Sequence, residues 1–456
     1  MIRTPILAAL LILSVQARAQ VEQTNTRYDE DWSLLRDSPK RDADWWHRLK
    51  DRPIDPDGAV RVTLGAEARA RYEGLDNNLW GQPPSPDDGY LWLRLMPLAD
   101  VRAGPVRAFV QGIAGYAVGV GAGAGPTDET GVDLLQGFAD LRLPLGTRAT
   151  ATLRAGRELV ALGSERLVGL RYGPNIPQPF DGVRLMLDRG GARLQALHIR
   201  PVAIRPGDLD DRTSPTRSLD GLYVTLPIAP GAQADFYWLR YGDASARFAG
   251  LTARERRDTY GIRLFGTRGR LGWNWEAMLQ RGRFGDAEIR AWSVASETSY
   301  AFPQATLAPR LRLRANIASG DRDPGDGRLE TFNALFPKGK YFGELSPIGP
   351  RNIVNLHPSL DVDLGRGVTG ELAGAAYWRA SRGDGVYDVS GQLIREAGGS
   401  DARHIGNQLE LSFGWQASTI LSFSVSASIF APGDFLRETG SARTIRMLGA
   451  ETMLRF

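Results

Sequence analysis

The stretch Arg61–Glu73, RVTLGAEARARYE, decides the fold. Alternate positions on one side are apolar and end in an aromatic residue: Val62, Leu64, Ala66, Ala68, Ala70 and Tyr72. The other side is mostly charged: Arg61, Thr63, Gly65, Glu67, Arg69, Arg71 and Glu73. Side chains alternate between the two faces of a β-strand. A strand that is apolar outside and charged inside is the unit of a transmembrane β-barrel. An edge strand of a soluble sheet would also alternate, so the rest of the chain must decide.

The same alternation recurs down the chain. In Leu421–Phe430, for example, large or small apolar residues alternate with four serines. We count about eighteen such runs, an even number in the range of bacterial barrels, and the final run ends on the aromatic Phe456. We find no repeat of fixed length, which a β-helix or propeller would show. The sequence therefore predicts an all-β fold, a transmembrane antiparallel barrel of about eighteen strands with long extracellular loops and an aqueous lumen.

Composition agrees with an exported barrel. The chain has 456 residues, and no apolar run beyond the N-terminus is long enough to cross a membrane as a helix. It has no cysteine, which excludes disulfides, thiolate metal sites and a lipoprotein anchor. Of its 56 basic residues only four are lysines, and the net charge is +4. Any ion selectivity must therefore come from the positions of the arginines rather than from the net charge. We expect no nucleic-acid partner.

Three segments are predicted. Residues 1–19 have the parts of a signal peptide: Arg3, an apolar core from Ile6 to Val15, and the cleavage site Ala17-Arg18-Ala19. Residues 20–59 are polar and Trp-rich and predict a periplasmic lead-in, in which Trp45, Trp46 and His47 form a packing cluster or, as the alternative, a binding site. Residues 60–456 are the barrel, which we expect in the bacterial outer membrane, in contact with its lipid.

The inward positions predict an anion path. Arginine outnumbers carboxylate there, and fixed positive charge in a narrow passage attracts anions and repels cations. The pathway arginines predicted from strand alternation are Arg69, Arg71, Arg94, Arg107, Arg154, Arg184, Arg263, Arg312, Arg314 and Arg379. The predicted lumen carboxylates are Glu67, Glu73, Asp140 and Glu276. The alternative is that these charges are ion pairs that only stiffen the wall.

Enzyme chemistry finds little support. The four histidines, His47, His198, His357 and His404, show no metal-ligand spacing, and no G-x-S-x-G motif is present. We predict no enzymatic activity, no cofactor and no resident metal. Asp321, Asp323 and Asp326 in the segment GDRDPGDG suggest a calcium loop, but their register departs from the EF-hand pattern, and a polar turn is favoured.

Three segments resemble the alginate export family of outer-membrane porins: Leu64–Gly81, Gly156–Leu185 and Ser319–Gly343. The resemblance runs from about Leu34 to the C-terminus. It implies a monomeric eighteen-stranded barrel with an arginine-rich constriction, through which an anionic polysaccharide leaves the cell with the help of periplasmic export machinery. It adds Arg157 and Arg322 to the pathway residues. It also implies an extracellular lid formed by Phe332, Phe336, Tyr341 and Phe342.

Three functions follow as hypotheses. The first is export of an alginate-like acidic polysaccharide, and the second is uptake of small acidic sugars or other anionic solutes. The third, from another class, is an adhesin or membrane enzyme with a plugged lumen. Strand alternation alone does not separate them.

Overall fold

The computed structural model describes residues 23–36, 43–83, 87–248 and 250–456. Within these residues, eighteen long strands each pair antiparallel with the next strand along the chain. The last strand also pairs with the first, so the sheet closes into a barrel without a free edge. The predicted fold is confirmed.

The barrel strands are numbered in chain order. They are β1 (Val60–Asp76), β2 (Asp88–Ala103), β3 (Val106–Val118), β4 (Gly131–Leu145), β5 (Ala149–Leu159), β6 (Pro179–Arg189), β7 (Ala192–Ala203), β8 (Arg217–Ala229), β9 (Ala232–Phe248), β10 (Leu251–Arg268), β11 (Leu271–Phe284), β12 (Ala287–Ala301), β13 (Arg310–Ala318), β14 (Ile353–Gly365), β15 (Val368–Arg379), β16 (His404–Gln416), β17 (Leu421–Pro432) and β18 (Ile445–Arg455).

Short elements lie outside this sheet of eighteen. They are the 3-10 helices Arg27–Asp29, Trp32–Leu35 and Trp45–Leu49, the helical segments Asn78–Gly81 and Asp434–Thr439, and the small strands Arg52–Pro53, Arg212–Thr213, Arg328–Leu329, Val386–Tyr387 and Leu393–Arg395. Among the described residues, no helix has the length and apolar character needed to cross a membrane.

Strand β1 shows how the wall is built. Leu64 and Tyr72 are 42% and 49% exposed on the outer face, whereas Glu67 and Arg71 on the inner face are 0% and 5% exposed. A water-soluble protein shows the reverse, with apolar side chains inside and charges outside. The outer surface is therefore suited to lipid, as in transmembrane barrels.

The two ends of the barrel differ. One end has short turns, in which Gly146 and Gly190 adopt φ angles of +71° and +58°, a conformation that glycine adopts at little cost. The other end has most of the long loops, although Phe284 and Ala287 are joined by a short turn there. In outer-membrane barrels the short turns face the periplasm and the long loops face the exterior, and we name the two ends accordingly.

Two long loops fold into the barrel. They are residues 160–178, the first inward loop, and residues 319–352, the second inward loop. The Gly169 amide donates to the Phe336 carbonyl at 2.8 Å, and the Phe336 amide donates to the Leu167 carbonyl at 2.9 Å. The Phe336 ring lies 5.1 Å from that of Phe180, on the wall. The loops therefore meet inside the lumen and are fixed to its side.

The predicted extracellular lid lies inside the barrel instead. Phe332, Phe336 and Phe342 are 8% exposed or less, and the Phe342 ring packs 5.5 Å from that of Tyr377 in the wall. Tyr341 is partly buried against the same apolar cluster. An aromatic side chain gains most when it leaves water completely, so these residues form part of an internal plug rather than a cover over the mouth.

The lead-in packs against the periplasmic mouth. Trp32, Leu35 and Trp46 form a buried cluster, against which Phe456 packs, and the ring of Trp45 lies 5.0 Å from that of Phe456. The predicted packing of Trp45, Trp46 and His47 is confirmed for Trp46, which is 3% exposed with its ring 4.0 Å from that of His47, whereas Trp45 is 59% exposed. The predicted signal peptide lies outside the described residues.

Candidate functional site in the barrel lumen

A belt of paired charges lines the inner wall in its periplasmic half, and we call it the charged belt. Arg263 of β10 lies in register between Asp235 of β9 and Glu276 of β11. Its guanidinium is 2.8 Å from Asp235 and stacks 3.8 Å from the centre of the Phe265 ring. Alternating charges on adjacent strands thus hold the guanidinium plane in a fixed direction.

A second group of the charged belt spans β4 to β6. Arg154 donates two hydrogen bonds to Asp140, at 2.7 and 2.9 Å, and its guanidinium lies 3.0 Å from Glu158. Arg184 pairs with the same Glu158. Two-point contacts between arginine and carboxylate are among the strongest hydrogen bonds in proteins, so these two arginines are held firmly against the wall.

The opposite wall carries its own pairs. Arg312 lies 2.6 Å from Asp361, and Arg314 lies 3.2 Å from Glu297. Their side chains are 19% and 24% exposed, more than those of the β4–β6 group. These arginines therefore retain some access to the lumen.

Arg71 anchors the second inward loop. It pairs with Glu73 on its own strand, with Glu451 of β18 and with Glu344 of the loop. Lys340 of the same loop reaches back to Glu73 and Glu344. Burial alone would raise the pKa of Glu344, but Lys340 and Arg71 outweigh it and lower that pKa to about 2. The loop carboxylate is therefore charged at neutral pH and locked to the wall.

Arg69 and Arg94 hold the first inward loop through its backbone. Arg69 donates to the Pro174 carbonyl at 2.7 Å, and Arg94 donates to the Asn175 carbonyl at 2.9 Å. Arg94 also pairs with Glu67 at 2.7 Å. Both guanidiniums are nearly inaccessible, with side chains 2% and 0% exposed. Arg69 and Arg94 therefore position the first inward loop, because their N–H donors are directed to its carbonyl groups.

Two neighbouring polar cavities lie on the inner wall between β2 and β10. Their volumes are about 520 and 450 Å³, and both are lined by Arg193 and Gln195. Among the described residues, the larger cavity has six arginines against three aspartates: Arg102, Arg107, Arg142, Arg154, Arg184 and Arg193 against Asp29, Asp140 and Asp188. The smaller has four arginines against two: Arg148, Arg189, Arg193 and Arg263 against Asp188 and Asp235. We call this wall the basic side.

A third cavity, of about 550 Å³, has the opposite balance. Among the described residues that line it, two arginines face four carboxylates: Arg310 and Arg312 against Glu344, Asp361, Asp363 and Glu371. We call this wall the acidic side. The two sides of the lumen thus carry opposite balances of charged residues.

The lead-in enters the larger basic cavity. Tyr28 is buried between Phe109 and Phe138, with ring centres 6.1 and 5.5 Å away. Its carbonyl accepts a hydrogen bond from Arg107 at 2.7 Å, and the Arg154 guanidinium lies 4.4 Å from the centre of its ring. The lead-in therefore occupies a donor of Arg107 and the aromatic surface of Phe109 and Phe138 in this cavity.

Three predicted pathway arginines lie elsewhere. Arg157 shares the outward register of Leu153, which is 48% exposed on the outer face, and pairs with Asp181 at 2.8 Å. Arg322 lies near the start of the second inward loop, in a part that is exposed to solvent; its side chain is 76% exposed and pairs with Glu330. The strand-face rule does not apply to a loop residue, and Arg157 has the wrong parity for the lumen.

Arg379 is the third of these. It is fully buried at the exterior end of β15 and donates to carbonyls of the loop 380–403, including those of Arg382 at 2.9 Å and Ser400 at 2.7 Å. Its guanidinium stacks 3.9 Å from the centre of the Phe435 ring. Arg379 clamps exterior segments together, and its assignment to the pathway is wrong.

The calcium candidate is a polar turn. Asp321, Asp323 and Asp326 each accept a hydrogen bond from a backbone amide two residues further on, at 3.2, 3.1 and 2.8 Å. Such Asx contacts stabilise turns without a metal. In the described part of the chain, the acidic group with converging oxygens is a different one, Asp133, Asp210 and Asp211.

The four predicted carboxylates all face the lumen and accept from polar or basic groups. Glu276, for example, is 2.7 Å from Arg166 of the first inward loop and accepts from the Tyr237 hydroxyl at 2.7 Å.

The sequence-based prediction omitted Arg193, although its alternation with Gln195 would have placed it on the inner face. It also omitted Tyr28, Lys340 and Glu344, whose contacts join distant segments and leave no local pattern.

Comparisons with known proteins agree with this architecture. The outer-membrane protein OpdK from Pseudomonas aeruginosa has a similar solved structure, with 13% identity, coverage of 86% of this chain and 99% of that chain, and a TM-score of 0.60. OccK2 (OpdF) of the same organism, solved in complex with glucuronate, has 13% identity, coverage of 87% and 98%, and a TM-score of 0.58. At this level of identity the similarity shows the fold alone, which is that of porin-like outer-membrane channels.

A search of curated proteins found no match. The family model described as Alginate export matches residues 60–449, which is most of the chain and the whole barrel up to the middle of its last strand. The chain belongs to the alginate export family.

Proposed function

We propose that this chain is a passive outer-membrane channel, without enzymatic activity, that conducts acidic saccharides along the basic side of its lumen. The observation that carries the proposal is the charge imbalance of the two basic cavities, six arginines against three aspartates and four against two among the described residues. A uronate polymer carries one carboxylate per sugar. Successive guanidiniums can pass these carboxylates along as a series of weak sites.

The carboxylates of the charged belt support transport rather than tight binding. Arg263 and Arg107 keep aspartates within 2.8 Å, so an incoming carboxylate competes with a partner that is already present. This competition limits the residence time of an anion at any one arginine. A channel needs binding that admits the solute and still lets it leave.

The first candidate substrate is an alginate-like polysaccharide that leaves the cell, supported by membership of the alginate export family. The second is a small acidic solute taken up from outside. Basic cavities of about 520 and 450 Å³ are in the size range of sites for single small molecules. Channels of the same fold have been solved with glucuronate and with vanillate, which supports this second candidate.

Solute flux into proteoliposomes tests the proposal. The full chain is reconstituted, and swelling is measured with glucuronate and with glucose, which are similar in size but differ in charge. We expect faster entry of glucuronate. Equal rates for the two sugars, or no entry of either, would contradict a charge-selective channel.

A second arm separates the two substrates. Polyuronate chains of increasing length are added to the liposome interior, and their appearance outside is measured. Release of chains several sugars long supports export. Release that stops at one or two sugars, with glucuronate still permeant, supports uptake of small solutes.

A further inference from the structure

A second cluster of arginines lies on the outside of the barrel, far from the lumen chemistry described above. It occupies the outward face of β9 to β12 toward their exterior ends, and we call it the arginine patch: Arg240, Arg256, Arg281, Arg283 and Arg290. Four of the five are exposed, and the Arg240 side chain is 37% exposed. Three carboxylates lie in register with them, Asp220, Asp258 and Glu288, so the five arginines and these three carboxylates together have a net charge of +2.

The register places like charges directly opposite one another. Arg256 of β10 is the cross-strand partner of Arg283 of β11, and Arg281 of β11 is the cross-strand partner of Arg290 of β12. Within the described part of the chain, Arg256 and Arg283 have no carboxylate in ion-pair distance, whereas Arg290 pairs with Glu288 at 2.8 Å. Like charges directly opposite across two strands destabilise a sheet. A bound polyanion would remove this repulsion.

The residues next toward the periplasm show where the patch sits in the membrane. One register step of aromatic and apolar residues, Trp238, Tyr260, Leu279 and Trp292, crosses the same four strands directly beneath the arginines. Tryptophan and tyrosine concentrate at the boundary between hydrocarbon and headgroups. The arginine patch therefore lies at the level of the headgroups of the outer leaflet.

An apolar groove continues from this aromatic row into the hydrocarbon region. Its volume is about 700 Å³, and it is lined on the outer face by residues that include Phe236, Trp238, Ile262 and Val294. Ala277 lies in register between the outward residues Ile262 and Val294 and has the smallest outward side chain of the groove lining. This small side chain leaves a recess in the outer wall that can receive an acyl chain.

The opposite part of the outer wall lacks this combination. At the exterior end of β1 to β3 the exposed outward residues include Tyr72, Leu91 and Tyr116. Arg446 on the adjacent β18 is balanced by Asp76 at 2.9 Å. Of these two sectors in the described part of the wall, the one formed by β9 to β12 combines a net positive charge with an apolar groove.

We propose that this sector binds a phosphate-bearing glycolipid of the outer leaflet, with its phosphates on the arginine patch and one acyl chain in the groove. Guanidinium groups match phosphate oxygens in two-point contacts, and basic clusters at the membrane surface recognise anionic headgroups. The proposal is independent of what passes through the lumen.

Native mass spectrometry of the full chain in detergent tests it, with diphosphoryl lipid A as the probe and a dephosphorylated lipid A for comparison. The triple variant R256Q/R281Q/R283Q removes three charges from the patch. We expect its affinity for diphosphoryl lipid A to fall at least about tenfold, since each arginine near a lipid surface contributes measurably to binding. The control R268Q/R270Q/R366Q removes three exposed charges at the periplasmic turns, and its affinity should not change.

Retained barrel migration on unheated gels shows that each variant is folded. Equal affinity of the patch variant and the unmodified chain would overturn the proposal. It would also be overturned if dephosphorylated lipid A or phosphatidylglycerol bound as tightly as diphosphoryl lipid A, because the groove or charge alone would then account for binding.

Discussion

Arg71 on the barrel wall and Glu344 on the second inward loop form an ion pair, and the same guanidinium lies 3.1 Å from Glu451 of β18. An arginine that the strand pattern assigns to the pathway thus serves as the anchor of a loop. The segment that narrows the lumen is held by a few charged contacts, so its position should respond to single substitutions.

Replacing Glu344 with glutamine should loosen this loop. The side chain is 34% exposed, so we expect a cost of about 1–2 kcal/mol in local stability rather than that of a fully buried pair. Single-channel recordings should show more frequent transitions between conductance levels. Glu288→Gln, which breaks an exposed pair with Arg290 on the outer wall, is the matched control. The same gating in both variants would contradict the anchoring role.

Charge reversal on the two sides of the lumen should have unequal effects. Arg193 lines both basic cavities, whereas Arg310 lines the acidic one. We expect Arg193→Glu to lower the ratio of chloride to potassium permeability about two- to fivefold. This is the effect expected when a charge near a permeating ion is reversed and the space between them is filled with water. Arg310→Glu should have a clearly smaller effect. Reversal potentials in a salt gradient measure both, and equal effects would argue against a polarised lumen.

Removing the Tyr28 side chain should open the larger basic cavity. Tyr28→Ala deletes the ring that packs on Phe109, Phe138 and Arg154, and we expect a higher single-channel conductance. Leu34→Ala changes an exposed residue of the same segment, 58% exposed, and serves as the control. An unchanged conductance in Tyr28→Ala would show that the lead-in does not obstruct the path.

The junction between the exterior loops should depend on pH. Burial, with the nearby Asp384 carboxylate, raises the pKa of Asp321 from 3.8 to about 6. Because the folded state holds this proton more tightly than the unfolded chain, the stabilising contribution is complete below pH 3.8. It is lost as the pH rises through about 6. The protection factors of residues 319–332 in hydrogen exchange, which are corrected for the intrinsic pH dependence of amide exchange, should therefore be higher at pH 4.5 than at pH 7.5.

Asp321→Asn should remove most of this difference in protection factor, since asparagine does not titrate. Asp326→Asn changes a carboxylate of the same turn that is more exposed, with a side chain 34% exposed. This variant should keep the pH dependence. If Asp321→Asn retained the full pH dependence, another group would have to control the junction.

Most of the wall could be predicted because lipid and lumen impose a two-residue period on it. The prediction was weakest at the exterior ends. Alternation predicts a strand only over Thr259–Phe265, whereas β10 spans Leu251–Arg268. Residues 254–258, RERRD, have no apolar member, so the period disappears where the strand rises out of the hydrocarbon.

The site was predicted only in part, for a related reason. Alternation correctly placed Arg154 and Arg263 on the inner face, but it could not show which arginines are engaged by loops. Arg71 and Glu344 are separated by 273 residues, and a contact over that distance leaves no periodic signal. The same holds for Arg94, whose partners are backbone carbonyls of the first inward loop.

Planar-bilayer recording of the unmodified channel, with and without added polyuronate, tests the central claim most directly. The account predicts an anion-selective conductance that polyuronate reduces in a dose-dependent manner, and that a neutral polysaccharide of equal length does not affect. A conductance that favours cations, or one that polyuronate leaves unchanged, would contradict it.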